Sequence, residues 1–386
     1  MKIVTIVGAR PQFIKAAAVS RAIQAYHQSS VRSGSKKRLR EILVHTGQHY
    51  DYLMDRIFFE ELRLPEPDYH LGAGSGSHAV QTGRMLEGLE KVLEKEKPEI
   101  TIVYGDTNST LAGALAAAKL NIPIGHVEAG LRSYRRSMPE ETNRLLTDHL
   151  STVLFCPTIQ AVRNLLKEGI RNENKTVVRN VGDVMYDSIL YYSQIAEKKS
   201  TILRDLNLLF PKTRNSKIVT RNYYLATLHR AENTDDPKRL RSIFTALIEL
   251  SQECPVILPL HPRTRKMMRV QGLIKEAKGI QLIDPVSYLN MLRLEKHARV
   301  ILTDSGGVQK EAYWFRVPCI TLREETEWLE TIRSGWNVLV GTESDSIVKA
   351  TKRQNRRTLP ASQTKIFGDG KASEKIVQAL FDYFLR

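Results

Sequence analysis

Short apolar runs alternate with helical patterns along almost the whole chain of 386 residues, and this alternation is the strongest constraint on its fold. Apolar runs between helices are typical of parallel strands, which are buried on both faces of their sheet. The runs form two groups, separated by a polar stretch at residues 209–220. They predict strands at 2–7, 41–46, 100–104, 122–127, 152–156 and 176–181, and then at 223–228, 255–260, 280–283, 299–303, 318–322 and 337–340.

The two groups of runs predict two α/β domains, and the chain is longer than one ordinary hydrophobic core requires. We expect the first domain to comprise residues 1–182 and the second to comprise residues 183–370. Residues 371–386 have helical spacing with one apolar face. Because such a face has to be buried, this terminal helix is predicted to return to the first domain.

Composition excludes several classes of protein. The three cysteines are widely spaced, which predicts neither a disulfide framework nor a metal site and favours a reducing cytoplasm. No run approaches the roughly 18 apolar residues that a membrane span needs. Most of the net charge of +16 comes from two acid-free basic segments, residues 29–40 and 349–365. These segments lack stacking aromatics, so a solvated surface is favoured over nucleic-acid binding, with attraction to acidic lipids or polyanions as the alternative.

Three carboxylates follow the predicted strands of the first domain. Asp106 and Glu128 each lie just past a strand, and Glu140 follows Pro139 at a helix start. Ligands of open parallel sheets bind outside the carboxyl ends of the strands, so these acids are predicted to share one crevice. Asp106 also suits a turn or cap, and both Glu140 and Glu141 suit the positive end of a helix dipole. Glu128 has no equally simple structural explanation.

The first strand runs directly into a phosphate-type junction. Gly8 ends the strand and a helix opens after it, with Pro11 suited to the first turn. Free backbone N–H groups and the helix dipole attract anions at such a point, and Arg10 and Lys15 add full charges. An ordinary strand–helix turn explains the pattern equally well.

The second domain repeats this junction with stronger signals. Ser305, Gly306 and Gly307 stand between a predicted strand and a helix, and Glu311 follows one turn later. The glycines permit close approach of the backbone to a ligand, although Ser305 also suits a plain N-cap. A diphosphate held in a cleft between the domains would explain both junctions, with Glu311 accepting hydrogen bonds from ribose hydroxyls.

Two histidines, His229 and His261, each stand at the end of a predicted strand of the second domain. Each alone is better explained as a strand-capping residue. Their repeated position favours the same cleft, where an imidazole binds phosphate or exchanges protons near neutral pH. Neither a Ser-His-Asp signature nor a glycine-nested serine is present, so acyl transfer is unsupported.

Taken together, the motifs resemble the non-hydrolysing UDP-N-acetylglucosamine 2-epimerases over essentially the whole chain. The matching segments are 8–15, 46–49, 105–107, 126–132, 139–144, 229–230, 304–309 and 368–374. The resemblance implies a glycosyltransferase-B-like architecture of two Rossmann-like domains, a UDP-sugar substrate and no cofactor. It also implies a cytoplasmic homodimer that serves polysaccharide biosynthesis.

The resemblance assigns roles residue by residue. Asp106, Glu128 and Glu140 match the acid/base carboxylates of the family, and His229 matches its catalytic-site histidine. The positions that match UDP and phosphate contacts are Arg10, Lys15, Arg144, Ser305, Gly306, Gly307 and Glu311. His261 is added to the substrate-binding residues because of its position at the end of a predicted strand. The implied reaction eliminates UDP to form a 2-acetamidoglucal and then adds UDP back, interconverting UDP-N-acetylglucosamine and UDP-N-acetylmannosamine.

The chain departs from the family pattern at several points. The loop at 72–78 lacks the Arg-Gln pair of members that are activated by their substrate, and Ala231, Lys310 and residues 326–330 differ from the usual residues. The residues at 8–13 and 182–187 look more like the branch acting on UDP-2,3-diacetamido-2,3-dideoxyglucuronate. That substrate is the first alternative. A hydrolysing epimerase, a glycosyltransferase of the same architecture and a non-catalytic nucleotide-sugar-binding protein are the others.

Overall fold

The computed structural model describes residues 1–33, 38–48, 59–173, 175–208, 222–356 and 365–384. Parts of both basic segments, His49 and the polar stretch at 209–220 lie outside the described residues. The chain forms two compact units. The first unit comprises Met1–Leu190 and Lys365–Arg386, and the second comprises Tyr191–Thr364. The domain bounds expected from the sequence, after residues 182 and 370, stay a prediction.

The first unit contains a seven-stranded sheet. Its strands are β1 Lys2–Val7, β2 Arg40–His45, β3 Tyr69–His70, β4 Ile100–Tyr104, β5 Ile124–Val127, β6 Val153–Cys156 and β7 Val177–Asn180. They are all parallel and follow the order β3-β2-β1-β4-β5-β6-β7. β4, β5 and β6 are buried at every position, as their mostly apolar runs predict.

The helices of the first unit are α1 Arg10–Arg32, α2 His78–Glu96, α3 Asn108–Lys119, α4 Pro139–Leu150, α5 Ile159–Lys167, the start of α6 Val184–Lys199, and the C-terminal helix Ala372–Phe384. The C-terminal helix packs against α1, where the rings of Tyr26 and Phe381 lie 4.3 Å apart. Its first turn is fixed by Asp187, which accepts hydrogen bonds from the N–H groups of Ala372 and Ser373. The predicted return of this helix to the first half of the chain is confirmed.

The second unit contains a six-stranded parallel sheet. Its strands are β8 Tyr224–Thr227, β9 Val256–Pro259, β10 Ile280–Ile283, β11 Val300–Thr303, β12 Cys319–Thr321 and β13 Asn337–Leu339, in the order β10-β9-β8-β11-β12-β13. Its helices, after the end of α6, are α7 Ile202–Asp205, α8 Ala231–Thr234, α9 Pro237–Ser251, α10 Pro262–Val270, α11 Leu273–Glu276, α12 Tyr288–His297, α13 Gly306–Trp314, α14 Leu329–Arg333 and α15 Ser344–Arg356. No helix in the described part of the chain is long and apolar enough to cross a membrane.

The strands predicted from the sequence are all present, and their bounds differ from the prediction by at most two residues. The structure adds β3, which pairs with β2 at the edge of the first sheet. A two-residue strand has too few positions to show a hydrophobic period, so the sequence could not reveal it. In both sheets the candidate residues follow strands at their carboxyl ends.

Candidate functional site

Two of the candidate carboxylates follow neighbouring strands of the first sheet. β4 and β5 pair in parallel, with Tyr104 opposite Val127 at their carboxyl ends. Asp106 and Glu128 stand just beyond this last pair, so the structure brings the two turns together as the sequence predicted. Glu140 is the second residue of α4, which follows β5 along the chain.

Asp106 is held by Arg144. The Nε and Nη2 atoms of Arg144 donate to Asp106 Oδ2 over 2.9 Å and 2.5 Å. Asn143 Nδ2 donates to the backbone carbonyl of Asp106 over 2.9 Å. The Asp106 side chain is nonetheless 29% exposed, so its carboxylate is fixed in orientation and still open to solvent.

Glu128 is buried and forms an ion pair with Lys15, whose Nζ contacts Glu128 Oε2. The backbone of Glu128 has φ of +76°, a left-handed conformation that costs a non-glycine residue about 1–2 kcal/mol. Gly105 makes room for the pair, because a β-carbon at this position would lie 3.0 Å from Lys15 Nζ and 3.2 Å from Glu128 Oε2. The strained backbone and the missing side chain both serve the placement of one carboxylate.

Glu140 and Glu141 are neighbours in the sequence, but their side chains have different environments. Glu141 is buried and accepts hydrogen bonds from the N–H groups of Ser133 and Tyr134 and from Arg144 Nη1 over 2.8 Å. Burial raises the pKa of Glu141, but the N–H of Ser133 and the Arg144 guanidinium lower it by more, so that it lies below its ordinary value. Glu140 is exposed. Glu141 is therefore committed to the local structure, whereas Glu140 has a carboxylate available to a ligand.

The junction after β1 differs from its prediction in one respect. The side-chain oxygen of Gln12 accepts hydrogen bonds from the N–H groups of Gly8 and Ala9, over 2.8 Å and 3.0 Å. The expectation of free N–H groups is therefore wrong for these two residues, because a glutamine in the first turn satisfies them itself. The positive charges predicted here are Arg10, which begins α1, and Lys15, which is directed to Glu128.

In the second unit a buried aspartate organises the turn that carries His229. Asp304 follows β11 and accepts hydrogen bonds from the backbone N–H groups of His229 and Arg230 and from Asn233 Nδ2. His229 Nδ1 lies 3.6 Å from Asp304 Oδ1, and the imidazole is 41% exposed. His261 follows β9, and its ring centroid lies 5.7 Å from that of His229, so the structure brings the two histidines together.

The predicted phosphate turn of the second unit opens α13. Ser305 is the N-cap residue by position, but its hydroxyl makes no capping hydrogen bond to the helix, and Glu311 is buried one turn later. A β-carbon at Gly306 would lie 2.5 Å from Glu327 Oε1 and 3.2 Å from Trp328 Nε1. Gly306 therefore admits two side chains close to the helix start, and one of them is acidic.

Three of the residues that depart from the family pattern surround this helix start. Lys310 is buried, with its Nζ 3.8 Å from the ring centroid of Trp328. Glu327 pairs with Arg323 over 3.1 Å and lies 3.8 Å from Arg230. The departures thus form one cluster in which aromatic and basic side chains accompany the acid beside Gly306.

Groups of three or more His, Cys, Asp or Glu arranged to hold a metal ion are absent from the described ranges of the chain. The three cysteines are buried, and burial raises the pKa of each thiol, to about 12 for Cys319. Thiolate is therefore scarce near neutral pH, and the three thiols are poor nucleophiles there.

Several residues that shape the site were not assigned from the sequence. Gln12, Gly105 and Asp304 hold turns that carry candidate residues. His126 and Asp148 form a buried pair beneath the turn of Glu128. The sequence offered one signal for Asp304 and Gly105, since both directly follow strands. Distant segments meet where Gln12 Nε2 donates to the carbonyl of Tyr104 and to the hydroxyl of Thr110, and where Asp148 pairs with His126, so these contacts had no local signal.

Comparison with known proteins places the chain among the isomerases that act as 2-epimerases. Residues 32–381 match the family model described as UDP-N-acetylglucosamine 2-epimerase, and the chain belongs to this family. The predicted family is therefore confirmed, and so is the prediction of an isomerase.

Similar proteins span the whole chain. A UDP-N-acetylglucosamine 2-epimerase homolog of Methanococcus maripaludis is 52% identical, with 98% of this chain and 99% of the relative covered. The UDP-2,3-diacetamido-2,3-dideoxy-D-glucuronate 2-epimerase of Pseudomonas aeruginosa is 49% identical over the same shares. The crystal structure of Methanocaldococcus jannaschii UDP-GlcNAc 2-epimerase with UDP-GlcNAc and UDP matches with a TM-score of 0.87 and 45% identity, covering 99% of this chain and 100% of that one. The predicted glycosyltransferase-B-like fold is confirmed.

Proposed function

We propose that this chain interconverts UDP-N-acetylglucosamine and UDP-N-acetylmannosamine by inverting carbon 2 without hydrolysing the sugar nucleotide. The observation that carries the proposal is the placement of Asp106 and Glu128 beyond paired strand ends, each oriented by its own cation, Arg144 and Lys15. Inversion of a carbon centre requires proton handling on two faces of the sugar. Glu140, exposed at the start of α4, supplies a third carboxylate.

The chemistry explains why acids alone are insufficient. The hydrogen on carbon 2 is not adjacent to a carbonyl, so a carboxylate cannot remove it readily at neutral pH. As the bond from carbon 1 to UDP breaks, oxocarbenium character at carbon 1 acidifies that hydrogen. A carboxylate takes the proton, a double bond forms between carbons 1 and 2, and the electron pair leaves with UDP. Protonation of carbon 2 on the other face and readdition of UDP complete the inversion.

Retention of UDP requires a cationic and hydrogen-bonding grip, for which we assign Arg10, Arg144, His261 and Glu311, with Lys15 and the helix start at Ser305, Gly306 and Gly307. His229 serves proton transfer or stabilises the departing phosphate. A hydrogen bond to a charged group contributes about 1.5–3 kcal/mol. Three such contacts that strengthen in the transition state would accelerate the reaction on the order of 10³–10⁶-fold.

The second candidate is the same reaction on UDP-2,3-diacetamido-2,3-dideoxyglucuronate. One observation favours it: the P. aeruginosa relative that carries this substrate in its name is 49% identical, against 46% for the M. jannaschii UDP-N-acetylglucosamine 2-epimerase. The cluster of Lys310, Trp328 and Glu327 adds local support, because these residues depart from the pattern of the family at a helix start proposed to bind substrate.

Exchange in deuterated water tests the reaction and the substrate together. The protein is incubated separately with each UDP-sugar, and carbon 2 is followed by NMR. Deuterium at carbon 2 of an intact UDP-sugar is expected and identifies the substrate. Release of free N-acetylmannosamine and UDP would replace the proposal with a hydrolysing epimerase. The absence of exchange with both sugars would overturn it and favour a glycosyltransferase of the same architecture.

We also propose a homodimer that acts in the cytoplasm, in a pathway of polysaccharide biosynthesis, as expected from the family resemblance. Light scattering after size-exclusion chromatography measures the oligomer directly. A mass twice that of the 43.9 kDa chain supports the dimer, and a mass equal to the chain contradicts it.

A further inference from the structure

His126 lies in β5, two residues before Glu128, and is completely buried. Both of its ring nitrogens face oxygen atoms. Nδ1 lies 2.7 Å from Asp148 Oδ1, and Nε2 lies 2.8 Å from the backbone carbonyl of Gly105. A carbonyl oxygen only accepts hydrogen bonds, so Nε2 has to carry a hydrogen.

The state of Asp148 decides the state of the other nitrogen. Asp148 Oδ2 accepts hydrogen bonds from Arg132 Nη1 over 2.7 Å and from the N–H of Gly130 over 3.1 Å. Arg132 is a permanent cation in contact with Asp148, and it favours the ionised carboxylate whatever the state of His126. An ionised carboxylate only accepts, and Nδ1 therefore carries a hydrogen as well.

The charges around the ring balance when the imidazole is positive. Arg132 binds Asp148 on one side and Glu168 on the other, the latter through Nε and Nη2. Two cations, His126 and Arg132, then face two carboxylates. The neighbouring Cys156 thiol adds no charge, because burial raises its pKa well above neutral. Buried charges persist when they are paired in this way.

The same cluster touches the turns of both candidate acids. His126 binds the carbonyl of Gly105, the residue before Asp106. Asp148 binds the N–H of Gly130, and Arg132 donates to the carbonyl of Leu131 over 2.6 Å, both just after Glu128. We propose that His126 is a positioning residue, held as an imidazolium, that locks the turns of Asp106 and Glu128 to each other. The catalytic part of this inference rests on the proposed function of those two carboxylates.

Two substitutions distinguish the contributions of the two ring nitrogens of His126. In His126→Gln the amide nitrogen reaches the position of Nε2 and keeps the contact with Gly105, whereas in His126→Asn it reaches the position of Nδ1 and keeps only the contact with Asp148. A displacement of about 1 Å at a reacting group costs about 10²-fold in rate. We therefore expect His126→Asn to lose about 10²-fold in kcat with KM changed by less than about threefold, and His126→Gln to retain most of kcat. Substitutions of His149, which is exposed on the same helix as Asp148, serve as controls.

Equal losses of kcat in the two variants, accompanied by equal losses of thermal stability, would overturn the positioning role. Nitrogen-15 NMR of histidine-labelled wild-type protein tests the charge without any variant. Hydrogen on both ring nitrogens at pH 7 is expected, and a singly protonated ring contradicts the inference. If wild-type protein exchanges deuterium into neither sugar, the proposed function fails. Backbone hydrogen exchange then tests whether His126 holds the two turns together. Faster exchange at residues 105–106 and 128–131 in His126→Asn than in His126→Gln supports it, and equal rates overturn it.

Discussion

The candidate sites of the two units use different kinds of atoms. In the first unit, side-chain cations orient the carboxylates, as Arg144 does for Asp106 and Lys15 for Glu128. In the second unit, the buried carboxylate of Asp304 orients backbone N–H groups, and a glycine opens the helix start. Side-chain charges suit proton transfer, whereas backbone groups and glycines suit the binding of an anion. The comparison predicts that substitutions of the carboxylates in the first unit impair chemistry and that substitutions at the helix start of the second unit impair binding.

The largest effect is expected from removing one charge at a time in the first unit. General acid–base groups contribute about 10²–10⁴-fold to the rate, so Asp106→Asn, Glu128→Gln and Glu140→Gln should each lower kcat by at least about 10²-fold. The affinity for UDP should change by less than about threefold. Quenched deuterium-exchange assays measure kcat, and calorimetry measures the affinity for UDP.

Glu141→Gln is the matched control for Glu140→Gln, because its carboxylate is already bound to Ser133, Tyr134 and Arg144. It should lower stability more than Glu140→Gln does. Unchanged turnover in any of the three acid variants would remove that acid from the catalytic set.

Much of the fold was predictable because the strands are buried on both faces. The run Ile100–Tyr104 is entirely apolar apart from one threonine, and its bounds were predicted without error. Strands of this kind can be predicted from their apolar composition alone. The edge strand Tyr69–His70 does not, because it exists only through its pairing with β2.

The site was predictable where residues follow strands and unpredictable where distant segments meet. Asp106, Glu128 and His229 all directly follow strands that the sequence marks. Nothing local distinguishes Glu140 from Glu141, and the structure separates them only through Ser133, Tyr134 and Arg144. The buried pair of His126 and Asp148 likewise depends on the packing of α4 beneath β5.

The next effect compares one fully buried aspartate from each unit, Asp148 of the first and Asp304 of the second. Breaking a buried ion pair costs about 3–5 kcal/mol, which is expected for Asp148→Asn, while Asp304→Asn loses charged hydrogen bonds worth about 1.5–3 kcal/mol each. All three tryptophans of the chain, Trp314, Trp328 and Trp336, lie in the second unit. Urea unfolding followed by tryptophan fluorescence should therefore respond to Asp304→Asn more than to Asp148→Asn. A larger response to Asp148→Asn than to Asp304→Asn would contradict the independence of the two units that this comparison assumes.

Acidification tests two buried carboxylates of the first unit, Asp148 and Glu41. The pKa of Asp148 is lowered in the folded chain from 3.8, so its contribution to stability is present above that value and is lost as the pH falls through the folded pKa. Glu41 acts in the opposite sense, since burial raises its pKa above 4.5 and its destabilising effect grows as the pH rises from 4.5 to the folded pKa. Circular dichroism between pH 3 and pH 6 should show a destabilisation on acidification that Asp148→Asn reduces. An unchanged acid profile in this variant contradicts the assignment.

A smaller effect is expected at the helix start of the second unit. Gly306→Ala places a methyl group against Glu327 and Trp328, so these side chains have to move at the proposed phosphate site. UDP should bind about tenfold more weakly, equivalent to about 1.4 kcal/mol, while kcat at saturation falls less. Gly83→Ala in α2 is the control, because its β-carbon meets no atom within 4 Å. Equal UDP affinities of the two variants in calorimetry would show that Gly306 has no role in UDP binding.

The smallest effect tests the strained backbone of Glu128. Glycine adopts its φ of +76° without a steric penalty, whereas alanine does not, so Glu128→Gly should be more stable than Glu128→Ala by about 1 kcal/mol. Both variants lose the carboxylate and leave Lys15 without it, so their difference isolates the backbone. At Thr245, in the interior of α9, the order should reverse, because glycine is about 1 kcal/mol worse than alanine inside a helix. Thermal unfolding of the four variants measures both differences. The same order at both positions would show that the carboxylate of Glu128 is placed without backbone strain, and the first unit would then fix its acids by side-chain cations alone.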